Sequence, residues 1–290
     1  MHYVEPVFRP PSEADSLLLP TTVGCSHRRC TFCGMYRGKR FGLMDLADVF
    51  ADIEEARTTG GFRRVFLLDG DALAAPEPFL ADVLRRVRER LPWVERVGTY
   101  GEARAILEKG EDGLGRLREL GLGIVYHGVE SGSAAVLERI GKPLGRDEMA
   151  ACGRIMRASG VRYSVMAILG LGGVELSEEH ARDTGVALSL LDPDYVGLLT
   201  LMLVPGTPLE RRHARGEFVL PDRMGMLREL RTILAGLEVT AARFSANHAS
   251  NYLPLRGDLP ADKERLLAVV DSILATGDDS RLRPEWYRGL

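Results

Sequence analysis

Six short apolar runs alternating with longer amphipathic stretches restrict this chain more than any other feature. The runs are 16–23, 64–69, 96–101, 123–130, 162–170 and 195–204. A nearly continuous apolar strand is one buried on both faces, as in a parallel sheet covered by helices. Between the runs, 46–58 carries Leu46, Val49, Phe50, Ile53 and Ala56 on one face. In 78–91, Leu80, Val83, Leu84 and Val87 oppose Arg and Glu side chains. The stretches 146–159, 177–191 and 221–237 read as helices on the same grounds, with Ser177 as an N-cap before Glu178 and Glu179. Six strand–helix units in succession predict an α/β fold with a parallel sheet. The period fits an open Rossmann-like sheet and a curved partial barrel equally.

After Leu237 the alternation stops, and 243–252 is dense in polar side chains. A last helix over 260–275 precedes a charged tail expected to be loosely held. The expected organisation is an N-terminal arm (1–15), one catalytic core (16–240) and a C-terminal extension (241–290) covering the mouth of the sheet. With 290 residues the chain can bury a large core without disulfides. Its 38 basic and 41 acidic residues leave a net charge of −3, without the basic excess a nucleic-acid surface wants. No run approaches the ~18 apolar residues of a membrane span. Glu5 and Pro6 also interrupt the apolar stretch that a secretory signal would need. A cytoplasmic protein with neither membrane nor nucleic acid as partner is the expectation.

Four cysteines are too few for a disulfide scaffold, and three stand in the segment CSHRRCTFC directly after the first run. Cys25, Cys30 and Cys33 have Cys-x4-Cys-x2-Cys spacing. Loops after the carboxyl ends of parallel strands are where α/β folds build their sites. A structural zinc ion would want a fourth ligand, from His27 or, remotely, Cys152. A dithiol redox pair at Cys30 and Cys33 would leave the third thiol without a role. An iron–sulfur cube held by three cysteines leaves one iron open to a substrate or cofactor.

The segment resembles the radical S-adenosylmethionine (radical SAM) superfamily, whose members carry three cysteines after the first strand of a partial β/α barrel, usually at x3 and x2 spacing. An aromatic residue before the third cysteine is matched by Phe32. Asp69, Gly70 and Asp71 end the second run where the family has a Gly-Gly-Glu-like turn that meets the amino group of SAM. The segment GVESGS (128–133) is similar to the family's fourth-strand motif, which implies SAM contacts from Glu130 and Ser131. The segment ILGLGG (168–173), with Gly170, resembles the fifth-strand motif beside the adenine. PGTP (205–208) resembles the sixth-strand ending of the methylthiotransferase and coproporphyrinogen-dehydrogenase branches. Two departures stand out: the first cysteine gap has one extra residue, and Asp69 replaces a glycine.

The resemblance implies a partial (β/α)6 barrel, a [4Fe–4S] cluster on Cys25, Cys30 and Cys33, and SAM chelated at the open iron. Reductive cleavage of SAM would give a 5′-deoxyadenosyl radical acting on a substrate. An external donor such as flavodoxin or ferredoxin would supply the electron. No second cysteine cluster follows, and only 24 residues precede Cys25, which argues against an auxiliary centre and a preceding cobalamin domain. RNA-modifying members belong to the same family, but the one compact late basic cluster (Arg211, Arg212, His213, Arg215) reads as a solvated helix face. A small-molecule substrate is therefore expected. The readings that compete with it are an RNA-modifying radical SAM enzyme and a zinc-stabilised binding protein without activity.

Strand alternation puts Ile124, Tyr126, Gly128 and Glu130 on one face and His127 on the other, so His127 is expected as a packed histidine. Cys152, inside a helical pattern, is expected as core filler. Arg28, Arg29, Arg37, Lys39 and Arg40 place positive charge in and after the cysteine loop. In the polar stretch, Asn247 and His248 are the candidates for a substrate-lining role.

Overall fold

The computed structural model describes residues 1–289. Every expected strand forms. In chain order, β1 (Leu17–Pro20) and β2 (Thr22–Val23) divide the first apolar run, and β3 (Gly42–Leu43) pairs antiparallel with β2. Helix α1 (Leu46–Thr59) is capped by Asp45, whose side chain accepts from Ala47 N at 2.8 Å. There follow β4 (Arg64–Leu68), α2 (Glu77–Arg90), β5 (Arg96–Tyr100) and α3 (Ala103–Glu119). Next come β6 (Leu122–Glu130), α4 (Ala134–Arg139), α5 (Arg146–Ser159), β7 (Arg162–Leu169) and α6 (Ser177–Leu191). The chain continues through β8 (Tyr195–Thr200), α7 (Pro208–Ala214), α8 (Arg223–Gly236), β9 (Ala242–Ser245), β10 (Arg256–Leu259) and α9 (Lys263–Thr276).

The main sheet has the order β1-β4-β5-β6-β7-β8-β9-β10. The registered pairs from β1 to β6 and from β7 to β9 are parallel, and β10 returns antiparallel to β9. Sequential order without the reversal of a doubly wound sheet settles what periodicity left open, in favour of the singly wound, partial-barrel topology. Strand β9 lies within the stretch where the alternation was expected to have ended. Its Ala242 and Phe244 are buried while Arg243 is exposed, a period-two pattern too short to stand out beside the polar residues that follow.

The chain divides into two compact units. One comprises Met1–Arg28, Met35–His127 and Arg154–Tyr163; the other comprises Arg29–Gly34, Gly128–Gly153 and the chain from Ser164 on. In the first, Phe66, Tyr100 and Tyr126 form an edge-to-face cluster with centroids 5.1 to 6.3 Å apart. Near the N-terminus Glu13, fully buried, accepts from Tyr126 Oη, Ser16 Oγ and Arg96 Nη2. In the second unit α8 packs between α6 and α9, with Met226, Leu227, Leu230, Ile233 and Leu234 buried. Two expectations are corrected. Ser177 is the first residue of α6 and Leu176 holds the cap position, since the Ser177 hydroxyl is spent on a carboxylate of α8. The tail is anchored: Arg288, with its side chain 3 % exposed, donates to the carbonyls of Ser250 and Leu201 and lies 4.0 Å from the Tyr252 ring centroid. Lys39, one of the five basic residues in and after the cysteine loop, is buried.

Candidate functional site

In the first unit the chain leaves β4 through Asp69, Gly70 and Asp71. Asp69 is 2 % exposed, and its Oδ2 accepts from Gly24 N at 3.0 Å and Lys39 Nζ at 2.9 Å. Lys39 Nζ also donates to the carbonyls of Val4 and Pro6. Burial pushes the Asp69 carboxyl up, against the opposing pull of Lys39 and the Gly24 N–H. Its Oδ1 is buried with no hydrogen-bond partner among the described residues. Gly70 N donates to Gly24 O at 2.9 Å, and a Cβ on Gly70 would lie 2.4 Å from the Tyr36 ring, so only glycine fits. Asp71, 1 % exposed, accepts from Glu102 N at 3.0 Å through Oδ1 and from Ser26 Oγ through Oδ2. The turn expected to face SAM thus has most of its polar atoms engaged with protein.

In the second unit β6 ends at Glu130, whose φ of 68° lies in the left-handed region that side chains rarely adopt. The carboxylate curls back over Gly128, where a Cβ would meet its Oε1 at 2.2 Å. Lys142, 4 % exposed, donates to Glu130 Oε1 at 3.2 Å and also to Gly128 O. Ser131 is the other residue of this strand end for which the resemblance implies a SAM contact. It is fully buried, and its Oγ meets His180 Nδ1 at 2.8 Å and accepts from Ser133 N at 3.1 Å. Ser133 caps α4 by accepting from Val136 N at 3.2 Å.

Also in this unit β7 ends at Gly170, with φ +86°. Gly170 N donates to Glu229 Oε2 at 2.6 Å, and Ser177 Oγ donates to Glu229 Oε1 at 2.6 Å. His180 Nε2 lies 3.1 Å from Ile168 O and 3.9 Å from Glu229 Oε2. Burial raises the Glu229 carboxyl to about 7 and lowers His180 to about 4. Neither residue was singled out from the sequence. The signal was there: both are ionisable side chains in line with the apolar face of their helix, Glu229 between Met226 and Ile233, and His180 beside Ala181, Thr184 and Ala187.

The polar stretch serves β8 and its own loop. Ser250 Oγ accepts from Thr200 N at 3.1 Å, while Asn251 accepts from Thr200 Oγ1 at 2.8 Å and donates to Leu198 O at 2.7 Å. Asn247 meets Ser245 and, in the amide orientation that matches donor to acceptor, accepts from Arg256 Nε at 2.9 Å. His248 is half-buried with Nδ1 2.9 Å from Ser250 Oγ, and burial, then Arg283, lowers its pKa. His127 packs as expected, stacked on Tyr163 with Nδ1 2.6 Å from its hydroxyl. Cys152 is buried, its thiol pushed up to about 12 by desolvation.

Cys25 is buried, with Sγ 3.5 Å from His27 O; Cys30 and Cys33 are half-buried. Among the described residues no three His, Cys, Asp or Glu side chains are grouped to share one metal ion. An iron–sulfur cube makes a different demand, three soft thiolates on separate irons, and the donor set of the loop has that chemistry. The orphaned Oδ1 of Asp69 is likewise an acceptor suited to a cationic ligand such as the SAM ammonium.

The family model of the Radical SAM superfamily matches residues 19–184, more than half of the chain. The chain belongs to the radical SAM superfamily. It is therefore an enzyme whose family cofactors are a [4Fe–4S] cluster and SAM. Among solved structures it resembles the radical SAM methyltransferase TsrM from Kitasatospora setae, solved with cobalamin and a [4Fe–4S] cluster: TM-score 0.57, 22 % identity, 69 % of this chain and 39 % of that one. It also resembles the radical SAM enzyme coproporphyrinogen III oxidase (HemN) from Escherichia coli: TM-score 0.56, 18 % identity, 76 % of this chain and 51 % of that one. Elp3 from the archaeon Methanocaldococcus infernus gives TM-score 0.54 at 14 % identity over 91 % and 63 %. At such identities these likenesses concern the fold, and the chain spans less than two thirds of each of the three. No curated protein sequence matches. No helix among the described residues is long and apolar enough to cross a membrane.

Proposed function

We propose that Cys25, Cys30 and Cys33 carry the [4Fe–4S] cluster of this radical SAM enzyme and that its substrate is a small molecule. The observation that carries the reading is the three-cysteine loop standing directly after β1 and β2, inside the segment that matches the family. When bound, the cluster and SAM supply reductive cleavage of the sulfonium and a 5′-deoxyadenosyl radical that takes a substrate hydrogen, with the electron drawn from an external flavodoxin or ferredoxin. The chain's own residues bind, orient and exclude water. Glu130, its carboxylate shared with Lys142, is the acceptor for a ribose hydroxyl or the amino group of SAM. Asp69 Oδ1 is the acceptor for the ammonium. The Gly170 turn, pinned by Glu229, would hold the adenine when SAM is bound. Ser131, occupied by His180, makes no such contact. His248 is the substrate-side residue of this proposal.

Anaerobic reconstitution, with iron, sulfide and zinc analysis and assay of 5′-deoxyadenosine under strong reductant, tests the reading. Wild type is expected to hold about four irons per chain and to cleave SAM. Cys30→Ala is expected to do neither. Stoichiometric zinc without SAM cleavage would sink the proposal, as would a Cys30→Ala protein that still assembles the cluster. Small-molecule extract, and not total RNA, is expected to stimulate 5′-deoxyadenosine formation. His248→Ala should lose that stimulation while keeping the basal rate.

A further inference from the structure

We infer that the turn of Asp69, Gly70 and Asp71 is the seat of the cysteine loop, and that Asp71 and Ser26 are positioning residues for the cluster rather than contacts to SAM. The inference rests on the cluster assignment proposed above. Every interaction on which it stands lies within the first unit. At the near end of the loop, Gly24 donates its N–H to Asp69 and accepts from Gly70 N, so the residue before Cys25 is held from both sides of its peptide. Ser26, the residue after Cys25, donates its hydroxyl to Asp71. At the far end, Tyr36 lies over the bare Cα of Gly70, and Lys39 reaches back to the same Asp69 oxygen that holds Gly24. Gly24, with φ +72°, brings the two ends together, because a Cβ there would stand 3.2 Å from Lys39 Cβ.

Three adjacent residues of one turn therefore clamp both ends of the segment that carries the thiols. A loop with loose ends must be ordered at cluster assembly, whereas one whose ends are already fixed keeps only its interior to settle. The shell that fixes ligand geometry is also what tunes a cluster. Ser26 lies in the lengthened first gap, and the short side chain of Asp71 keeps its carboxylate near the backbone, where it meets Ser26 and the Glu102 N–H together.

The test compares hydrogen exchange in cluster-free wild type, Asp71→Asn and Ser26→Ala, reading peptides over 24–28 and, as internal reference, peptides from α8. Asp71→Asn is expected to speed exchange over 24–28 by about tenfold, the loss of one charge-assisted hydrogen bond, with α8 unchanged. Ser26→Ala should give a smaller acceleration confined to the same peptides. After anaerobic reconstitution and desalting, Asp71→Asn should retain several-fold less iron and sulfide, while the SAM dissociation constant of its loaded fraction stays within about twofold of wild type. Unchanged exchange over 24–28 in both variants overturns the inference. So does acceleration spread equally over α8, which would leave only a general stability role. Retained iron with SAM affinity weakened about tenfold would return Asp71 to the cofactor. Should Asp71→Asn lose its folding transition, Ser26→Ala decides, since its hydroxyl belongs to an exposed residue. A wild type that takes up no cluster defeats the proposed function, while the exchange in cluster-free protein still judges the clamp.

Discussion

Two strand ends, one in each compact unit, use the same device with opposite electrostatics. After β4, buried Asp69 accepts the N–H of Gly24; after β7, buried Glu229 accepts the N–H of Gly170, and both glycines have positive φ. Asp69 shares its oxygen with the ammonium of Lys39. Among the described residues Glu229 receives only the Ser177 hydroxyl besides that N–H, and His180, 3.9 Å away, is itself driven towards the neutral form by burial. A buried carboxylate with a cation is a fixed strut. One held by neutral donors titrates near neutrality, and its hold on the glycine turn depends on pH.

The largest effect should come from removing the cation. Lys39→Met leaves the Asp69 charge buried and uncompensated, and urea unfolding at pH 7.5 should show a loss of roughly 3–5 kcal/mol, much of it recovered in the Lys39→Met/Asp69→Asn double variant. A loss below about 1 kcal/mol would erase the contrast between the two turns. The next effect is a pH slope. Glu229, ordinarily near 4.5, sits near 7 in the fold, so the folded state binds its proton more tightly and stability falls as pH rises from 4.5 to 7. His180, ordinarily 6.5 and lowered to about 4, does the reverse, and stability rises from pH 4 to 6.5. The two offset each other in wild type. Glu229→Gln should unmask the histidine as a rise on the order of 3 kcal/mol from pH 4 to 6.5, read from urea midpoints across that range. A flat profile in the variant would show that His180 does not titrate as its burial requires. Smallest is Ser177→Ala, with about 1 kcal/mol lost at pH 7.5, where Glu229 is ionised, and less at pH 5.5.

The parallel strands were legible because burial on both faces writes itself as uninterrupted apolar runs, and the observed bounds of β4 to β8 depart from the expected ones by only a few residues. Helix α3 carried no such mark. Gly110, Gly113 and Gly115 interrupt it, and Gly110, at φ +63°, breaks the helical path between two segments. Cysteine spacing located the loop and the family. Partners did not follow from spacing: Lys39 meets Asp69 across 30 residues, Ser26 meets Asp71 across 45, and Gly170 meets Glu229 across 59.

Local rules therefore determined the strand–helix alternation, the three thiols in one loop and the family, because periodicity and short motifs depend on neighbours in the chain. The tertiary structure decided which carboxylate accepts from Gly24 and which from Gly170, which of them lacks a cation beside it, and that Ser131 is buried against His180. Those roles depend on what each side chain meets once the backbone has closed over it, and a buried polar group must take whichever partner the fold brings within reach.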